Sequence, residues 1–505
     1  MEKIAIIDLG SNTARLLLVK VLDGGYFVVF DEMKESVRLA QDMETDGFLK
    51  PSRISATIKT LKMFKKLCDA NKISKIMAYA TAAVRRAKNQ RSFIDEIAVT
   101  CGIKVRVLSA EEEATLIYNG VINSLDVPKG LIMDIGGGSV QLIYYNRKHL
   151  LNHITLPFGA ITLTDMVKNM GLTPEERVVE IEKVVKEGLS GAEWLKELDP
   201  DTQFIGVGGS FRNLAKIARY VKKYPLSMPH NYHIASGEFG AIYDTLKIIE
   251  IEKTANIKGV SGERADIFPS ALASIRAVID YTGIFKDIVI SGSGLREGAM
   301  FRYAVPTTVE KPISDILGYG INTMLYNFNM NIPHAEHVYS LSVQLFKQLK
   351  VLHKLPRFYV KVLRTAALLH DAGSIVKYYD HHIHSEYIIL NSGLNGISHK
   401  DLVMAAYVAA LHRNSDNIEV TFDKYKELLT EEDLDAVKKL GVILRIAESF
   451  DRSRSGLIVG LNCDVLGDSV IMKTQAEGDS ALEIKDAMKA SNEFRKAFKK
   501  NLEIL

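Results

Sequence analysis

Residues 131–145 read LIMDIGGGSVQLIYY: an apolar run, one aspartate, three glycines, a serine and a second apolar run. Glycine inside a strand costs roughly 0.5–1 kcal/mol relative to alanine, so Gly136, Gly137 and Gly138 need a local reason. A hairpin supplies one, because type I′ and II′ turns place glycine at positive φ and Asp134 can cap the turn. The N-terminus repeats the pattern. IAIIDLGSNTARLLLV, residues 4–19, carries Asp8, Gly10 and Ser11 where the later stretch carries Asp134, Gly136 and Gly137. Two such hairpins predict two similar half-domains.

Two further glycine clusters lie downstream. FIGVGGSFRNLAKIA at 204–218 and IVISGSGLREGAMF at 288–301 each run from a strand pattern through small residues into a helical pattern. A strand that feeds a helix through glycines presents backbone N–H groups at the positive helix terminus, where phosphate binds. Carboxylates beside such turns suit a hydrated divalent cation, since magnesium keeps its waters and takes few protein ligands.

The motifs DLGSNT, DIGGGS, GVGGS and SGSGLREG occur in this order, joined by ATAAVRRAKN at 80–89 and LSAEEEATLIYNGV at 108–121. Together they resemble the exopolyphosphatase/guanosine pentaphosphate phosphatase (Ppx/GppA) family of the acetate kinase, sugar kinase, heat-shock and actin superfamily, over nearly the whole chain. The resemblance implies an α/β fold, a duplicated actin-like (ribonuclease H-like) architecture with a cleft between the halves. It also implies hydrolysis of terminal phosphoanhydride bonds of inorganic polyphosphate, assisted by Mg2+, with pppGpp 5′-phosphohydrolysis as a related activity and ppGpp among the nucleotides recognised.

Site residues follow from the same resemblance. Asp8 and Asp134 would hold magnesium; Ser11, Asn12, Gly136, Gly137, Gly138, Ser139, Gly208, Gly209, Ser210 and Arg38 would meet phosphate. Glu113 matches the family's catalytic carboxylate, a general base to water, although Glu111 and Glu112 beside it also read as the acidic first turn of a helix begun at Ser109. Arg85 matches a basic residue facing the phosphate chain, and Arg86 reads as a solvated helix face. Arg296 is explained equally by a structural ion pair with Glu297 or another carboxylate. One position departs: where the family has a glutamate after DIGGGS, this chain has Gln141, which cannot accept a proton or hold a metal as a charge. A polyphosphate- or nucleotide-binding regulator with reduced catalysis therefore stays open, as does a phosphotransferase to nucleotides.

Composition fits an ordinary soluble protein. The 505 residues exceed the usual limit of one core, and 47% hydrophobic with 25% charged residues is typical of soluble domains. A net charge of +3 does not argue for nucleic acid or membrane. Cys68, Cys101 and Cys463 share no close spacing and suggest neither a disulfide framework nor a zinc site. With no signal region or long apolar segment, we expect a cytoplasmic chain, and we expect a homodimer.

Punctuation sets the boundaries. Strand patterns at 4–9, 14–21 and 26–30, a helix from Pro51 to Asp69 and a strand near 75–80 belong to a first half-domain, 1–125. The second covers 126–305, and VPTTVEKP at 305–312 reads as a linker. A helical domain, 306–456, precedes a small α+β segment, 457–505, with a hairpin and a charged helix. The helical domain resembles the HD superfamily: His337, then His370 and Asp371 in LLHDAGSI, then Asp451 in RIAESFDRS, a mixed set suited to a divalent metal. His381, His382, His384 and His412 could serve a second ion; the alternative is that all are helix-packing and surface histidines.

Overall fold

Two sheets in the first unit are built on one plan. β1 (Glu2–Leu9), β2 (Thr13–Val21) and β3 (Phe27–Ser36) form an antiparallel meander, and β4 (Lys75–Ala80) and β5 (Val105–Val107) add parallel to β1, giving the order 3-2-1-4-5. β6 (Lys129–Ile135), β7 (Val140–Asn146) and β8 (His149–Leu156) form the second meander. To it β9 (Gln203–Val207) and β11 (Asp287–Ile290) add in parallel, and β10 (Tyr232–Ala235) closes the edge antiparallel, in the order 10-11-9-6-7-8. A three-strand meander with two strands added in parallel thus recurs in both sheets, and the second carries one further edge strand, β10.

The computed structural model describes residues 1–43, 46–284, 286–413 and 422–505, and the chain separates into two compact units, Met1–Ile316 and Leu317–Leu505. In the first unit, the central strands read as unbroken apolar runs because both of their faces are covered. Ile4 and Ile6 of β1 join one core with Ile132, Ile143 and the helices Ala110–Ile122 and Leu295–Ala304, whereas Ala5, Ile7 and Leu9 join a second core with Leu61, Phe64 and Phe93. The helix Pro51–Ala70 covers the expected segment, with proline at its first position, where the missing N–H goes unneeded. Each of the four glycine clusters begins where β1, β6, β9 or β11 ends. In α/β sheets ligands bind at such carboxyl ends.

The second unit contains the helices Ile332–Gln348, Tyr359–Leu369, His381–Asn391, His399–Ala410 and Glu431–Ser449. The expected hairpin is β12 (Ile458–Leu466) and β13 (Ser469–Ala476). The C-terminal charged segment forms two helices, Ala481–Ala487 and Ser491–Phe498, and then a strand the sequence reading did not place, β14 (Asn501–Ile504), parallel to β13. Four residues after a lysine pair carry too little periodicity to announce a strand. Among the described residues, no helix is long and apolar enough to cross a membrane.

Candidate active site

The tips of the two hairpins press on one another. A Cβ on Gly137 would lie 3.1 Å from Ser11 Cβ and 2.8 Å from Ile161 Cδ1, and one on Gly138 would lie 2.9 Å from Ser11 Oγ. The glycines at these positions are required first by this close approach of protein to protein. Gly137, with Gly136 and Ser139, lines a cavity at the strand ends; Gly138 does not.

Four carboxylates and four guanidiniums surround that cavity: Asp8, Glu113, Asp134 and Glu297, with Arg15, Arg212, Arg264 and Arg296. Asp8 and Asp134 end β1 and β6. Glu113 sits in the first turn of the helix Ala110–Ile122, whose start is fixed by a reciprocal Ser109–Glu112 capping box. Gly208, at φ +94°, turns the chain from β9 into the helix Gly209–Val221, and a Cβ there would stand 2.6 Å from Asp134 Oδ1. The turn brings the helix N-terminus against the carboxylate, a position only glycine can hold.

Burial raises the acids. Asp134 is pushed up to about 6 by burial and then by the neighbouring charge of Asp8. Glu113, 7% exposed, is pushed up to about 7 by burial, against the pull of Arg85 and with added repulsion from Asp134 and Asp8. Asp8 is also raised by burial, with Arg296 and Arg15 opposing. Glu297 goes the other way: burial opposes its charge, but Arg296 and the Gly294 N–H hold it low. The arginines crowd one another as well. Burial, then Arg212 and Arg296, lowers Arg15 to about 10; burial, then Arg15, lowers Arg264 to about 10.

A cavity lined by both crowded carboxylates and crowded guanidiniums favours a divalent cation and an anion bound together. The donors fit a hard cation, since Asp8 and Asp134 offer oxygen and no soft ligand lines the cavity. Asn12 adds a buried side-chain amide whose nitrogen and oxygen both lack partners.

Several expected residues stand elsewhere. Arg85 does not line the cavity. Its Nη1 donates to the Glu113 carboxylate at 2.8 Å and to Leu108 O at 2.9 Å, so it holds Glu113 in place. Arg86 is no idle helix face, since its Nη1 donates to Pro157 O at 2.7 Å. Arg38 is bound to Asp266 through both terminal nitrogens, at 2.6 and 3.0 Å, and lies outside the lining. Ser210, in the first turn of its helix, is buried with its hydroxyl unpartnered but is also outside the lining. Gln141 is 1% exposed, pairs in register with Asp134, and neither of its amide atoms has a partner.

Sequence reasoning missed Arg15, Arg212 and Arg264. Arg15 faces Asp8 across β1 and β2, seven residues on, the same offset as Gln141 from Asp134. Aligning the two hairpins would have found it. Arg296 lines the cavity while pairing with Glu32 at 3.2 Å and Glu297 at 3.7 Å, so the structural reading and the site reading both hold.

In the second unit, His370 and Asp371 come together with His334 rather than with His337, which stands one turn further along the same helix. Asp451 accepts from His334 Nδ1 at 2.7 Å and from Gly456 N at 2.8 Å. His381 and His412 also group with Asp371; His382 and His384 belong to neither group.

Comparison with known proteins shows the family. Residues 18–305 match the Ppx/GppA phosphatase family and residues 319–490 match domain III of Ppx/GppA phosphatase. A guanosine-5′-triphosphate,3′-diphosphate pyrophosphatase of Aeromonas hydrophila is 27% identical over 78% of this chain and 77% of its own length. A bifunctional 3-dehydroquinate synthase/phosphatase of Fusobacterium nucleatum is 29% identical over 57% of this chain, and the match spans 44% of that longer protein. An exopolyphosphatase of Cytophaga hutchinsonii has a crystal structure that superposes with a TM-score of 0.57 and 26% identity, over 61% of this chain and 99% of that one.

Proposed function

The chain belongs to the Ppx/GppA phosphatase family, and from that premise we propose that it is an exopolyphosphatase, releasing orthophosphate from the ends of inorganic polyphosphate, with pppGpp as a second substrate. The observation that carries this reading is the cavity itself: buried, mutually repelling arginines and buried, mutually repelling carboxylates line one space at the ends of the paired hairpins.

Hydrolysis of a terminal phosphoryl group needs its anionic oxygens neutralised and a water held in line, with little covalent chemistry for the protein to do. Arg15, Arg212 and Arg264 would bind the phosphate oxygens, helped by the N–H groups of Gly136, Gly137, Gly208 and Gly209. Asp8 and Asp134 would hold a divalent cation, magnesium by their all-oxygen character, which when bound supplies charge neutralisation to the leaving phosphate. Glu113 would take the proton of the attacking water, and Arg85 fixes its carboxylate so that the accepting oxygen keeps its orientation. A base raised to about 7 is poised to accept a proton near neutral pH.

This reading keeps the half-domains at 1–125 and 126–305 and makes the chain a cytoplasmic homodimer, which light scattering and cell fractionation would check. A second reading, a ligand-binding regulator with little catalysis, draws on the neutral, unpartnered Gln141 beside Asp134. Initial rates of phosphate release from polyphosphate and pppGpp with magnesium, with and without ADP, separate the readings. Orthophosphate release independent of ADP is expected. ATP formation would indicate a phosphotransferase, and binding without turnover a regulator.

A further inference from the structure

Arg264 lines the cavity, yet its immediate surroundings push it away. It ends the short 3-10 helix Gly262–Arg264 and is buried. Its guanidinium lies across the start of the helix Gly209–Val221, where a Cβ on Gly209 would collide with it. A helix N-terminus is the positive end, so a cation is unfavourable there. Burial and then Arg15 oppose the charge of Arg264, and Asp134 and Glu263 offset only part of that cost. Among the described residues, no hydrogen bond or ion pair holds its side chain.

The grip on Arg264 comes instead from β3 and the residues just after it. Arg38 donates from both terminal nitrogens to the Asp266 carboxylate, at 2.6 and 3.0 Å, and from Nη2 to Glu263 O at 3.2 Å. Lys34 pairs with the Glu263 carboxylate. Glu263 stands one residue before Arg264 and Asp266 two residues after, so the turn is held on both sides of the arginine. A bidentate arginine–carboxylate pair fixes direction as well as distance.

Arg38 is tied in turn to the tip of the first hairpin. Its N–H donates to Asn12 O at 2.9 Å, Val37 N donates to the same oxygen at 3.1 Å, and Ala40 N donates to Ser11 O at 3.0 Å. Ser11 and Asn12 line the cavity. Arg38 keeps a left-handed backbone, φ +49°, which a residue with a Cβ adopts only where its surroundings impose it. Neither Arg38 nor Asp266 lines the cavity, so contact with the anion is not their role.

We infer, on the reading of the cavity as a phosphate site, that Arg38 and Asp266 are positioning residues whose ion pair holds the Gly262–Arg264 turn against the first hairpin and so keeps Arg264 over the cavity, where it meets the anion. The pair does work that the neighbours of Arg264 oppose. Arg264 is available to phosphate only while the pair is made.

The test measures binding of methylenediphosphonate, an unhydrolysable phosphate chain end, to the full chain with magnesium by isothermal titration calorimetry. Arg264→Met should weaken binding about 10-fold, as loss of a charge-assisted contact does. Asp266→Asn and Arg38→Met, which break the pair from opposite sides, should each weaken it by roughly 3- to 10-fold, no more than the contact they serve. Added to Arg264→Met, Asp266→Asn should change affinity by less than about twofold, because residues that act through one another do not add. A merely structural role would give the same loss in both backgrounds. Wild-type affinity in Asp266→Asn, an undiminished Asp266→Asn loss in the Arg264→Met background, or an Arg264→Met chain that binds like wild type overturns the inference and leaves the phosphate reading standing. Absence of binding to the wild-type chain overturns both. Arg38→Met, alone and combined with Arg264→Met, decides the matter if Asp266→Asn fails to fold.

Discussion

The two hairpins that frame the cleft share a register and differ in chemistry. In β1–β2, Asp8 faces Arg15, a charged side chain that lines the cavity; in β6–β7, Asp134 faces Gln141, which is buried, neutral and outside the lining. The aspartate is retained at both ends of the duplication, while the position opposite has diverged. The cost of burying Asp8 is opposed first by Arg296 and then by Arg15, which stands directly across the strand pair. Asp134 has no cation opposite it on its own strand pair; Arg212 and Arg264, from the helix after β9 and the short 3-10 helix Gly262–Arg264, oppose the cost of its burial, with Arg15 of the other hairpin after them. The lesson is that a repeated motif specifies where a carboxylate stands, and the residue seven positions later decides what it faces.

The strongest challenge to this division of labour removes the base that both hairpins surround. Glu113→Gln should lower kcat by about 10²–10⁴ while changing polyphosphate affinity less than about threefold, because a general base acts on the rate. A variant keeping more than about a tenth of wild-type kcat would place the base elsewhere.

Arg15→Met tests the charged half of the comparison. Loss of one charge-assisted contact to phosphate should reduce kcat/KM by roughly 10- to 100-fold, most of it as raised KM. The parallel change at the opposite position, Gln141→Met, should cost far less, since Gln141 lies outside the cavity. Equal losses would remove the asymmetry.

The raised acids set the pH dependence. Glu113 acts as a base only when ionised, and burial pushes it up to about 7, so its protonated, inactive form persists well above the usual carboxylate range. Activity should therefore fall about tenfold per unit as pH drops below that value and level off above it. The same limb should vanish from the residual rate of Glu113→Gln. A flat profile between about pH 5 and 8 would contradict the burial argument.

Gln141→Glu should have the smallest effect, a rise in magnesium-dependent hydrolysis of a few-fold at most, on the order of 1 kcal/mol or less in the barrier. It would restore the family's carboxylate opposite Asp134. An unchanged or lower rate would mean that the chain has settled on a different water or cation arrangement.

What was legible in the sequence was local. The hairpins announced themselves because an aspartate and glycines between apolar runs form a short-range pattern, and the order of the glycine clusters along the chain matched the order of the strand ends. Glu113 could be told from Glu111 and Glu112 only by family resemblance, although the structure gives the physical reason: Glu112 is used as the cap partner of Ser109, and Glu113 is turned inward and buried. The arginines were not legible, because an arginine on a strand or in a helical first turn reads as a solvated face until tertiary structure closes over it. Arg264 has no local signal at all. His334 and His337 are three residues apart on one helix, so both spacing and periodicity allow either, and only the position of the neighbouring helices selects His334.

The central claim is that a water activated in the cleft attacks the terminal phosphorus of the chain. Hydrolysis of polyphosphate by the wild-type enzyme in ¹⁸O-water, with the released orthophosphate and the shortened chain analysed separately by mass spectrometry, tests it most directly. The account predicts one ¹⁸O atom in each released orthophosphate and none in the remaining chain. Label in the shortened chain, or release of internal fragments in place of orthophosphate, would contradict it.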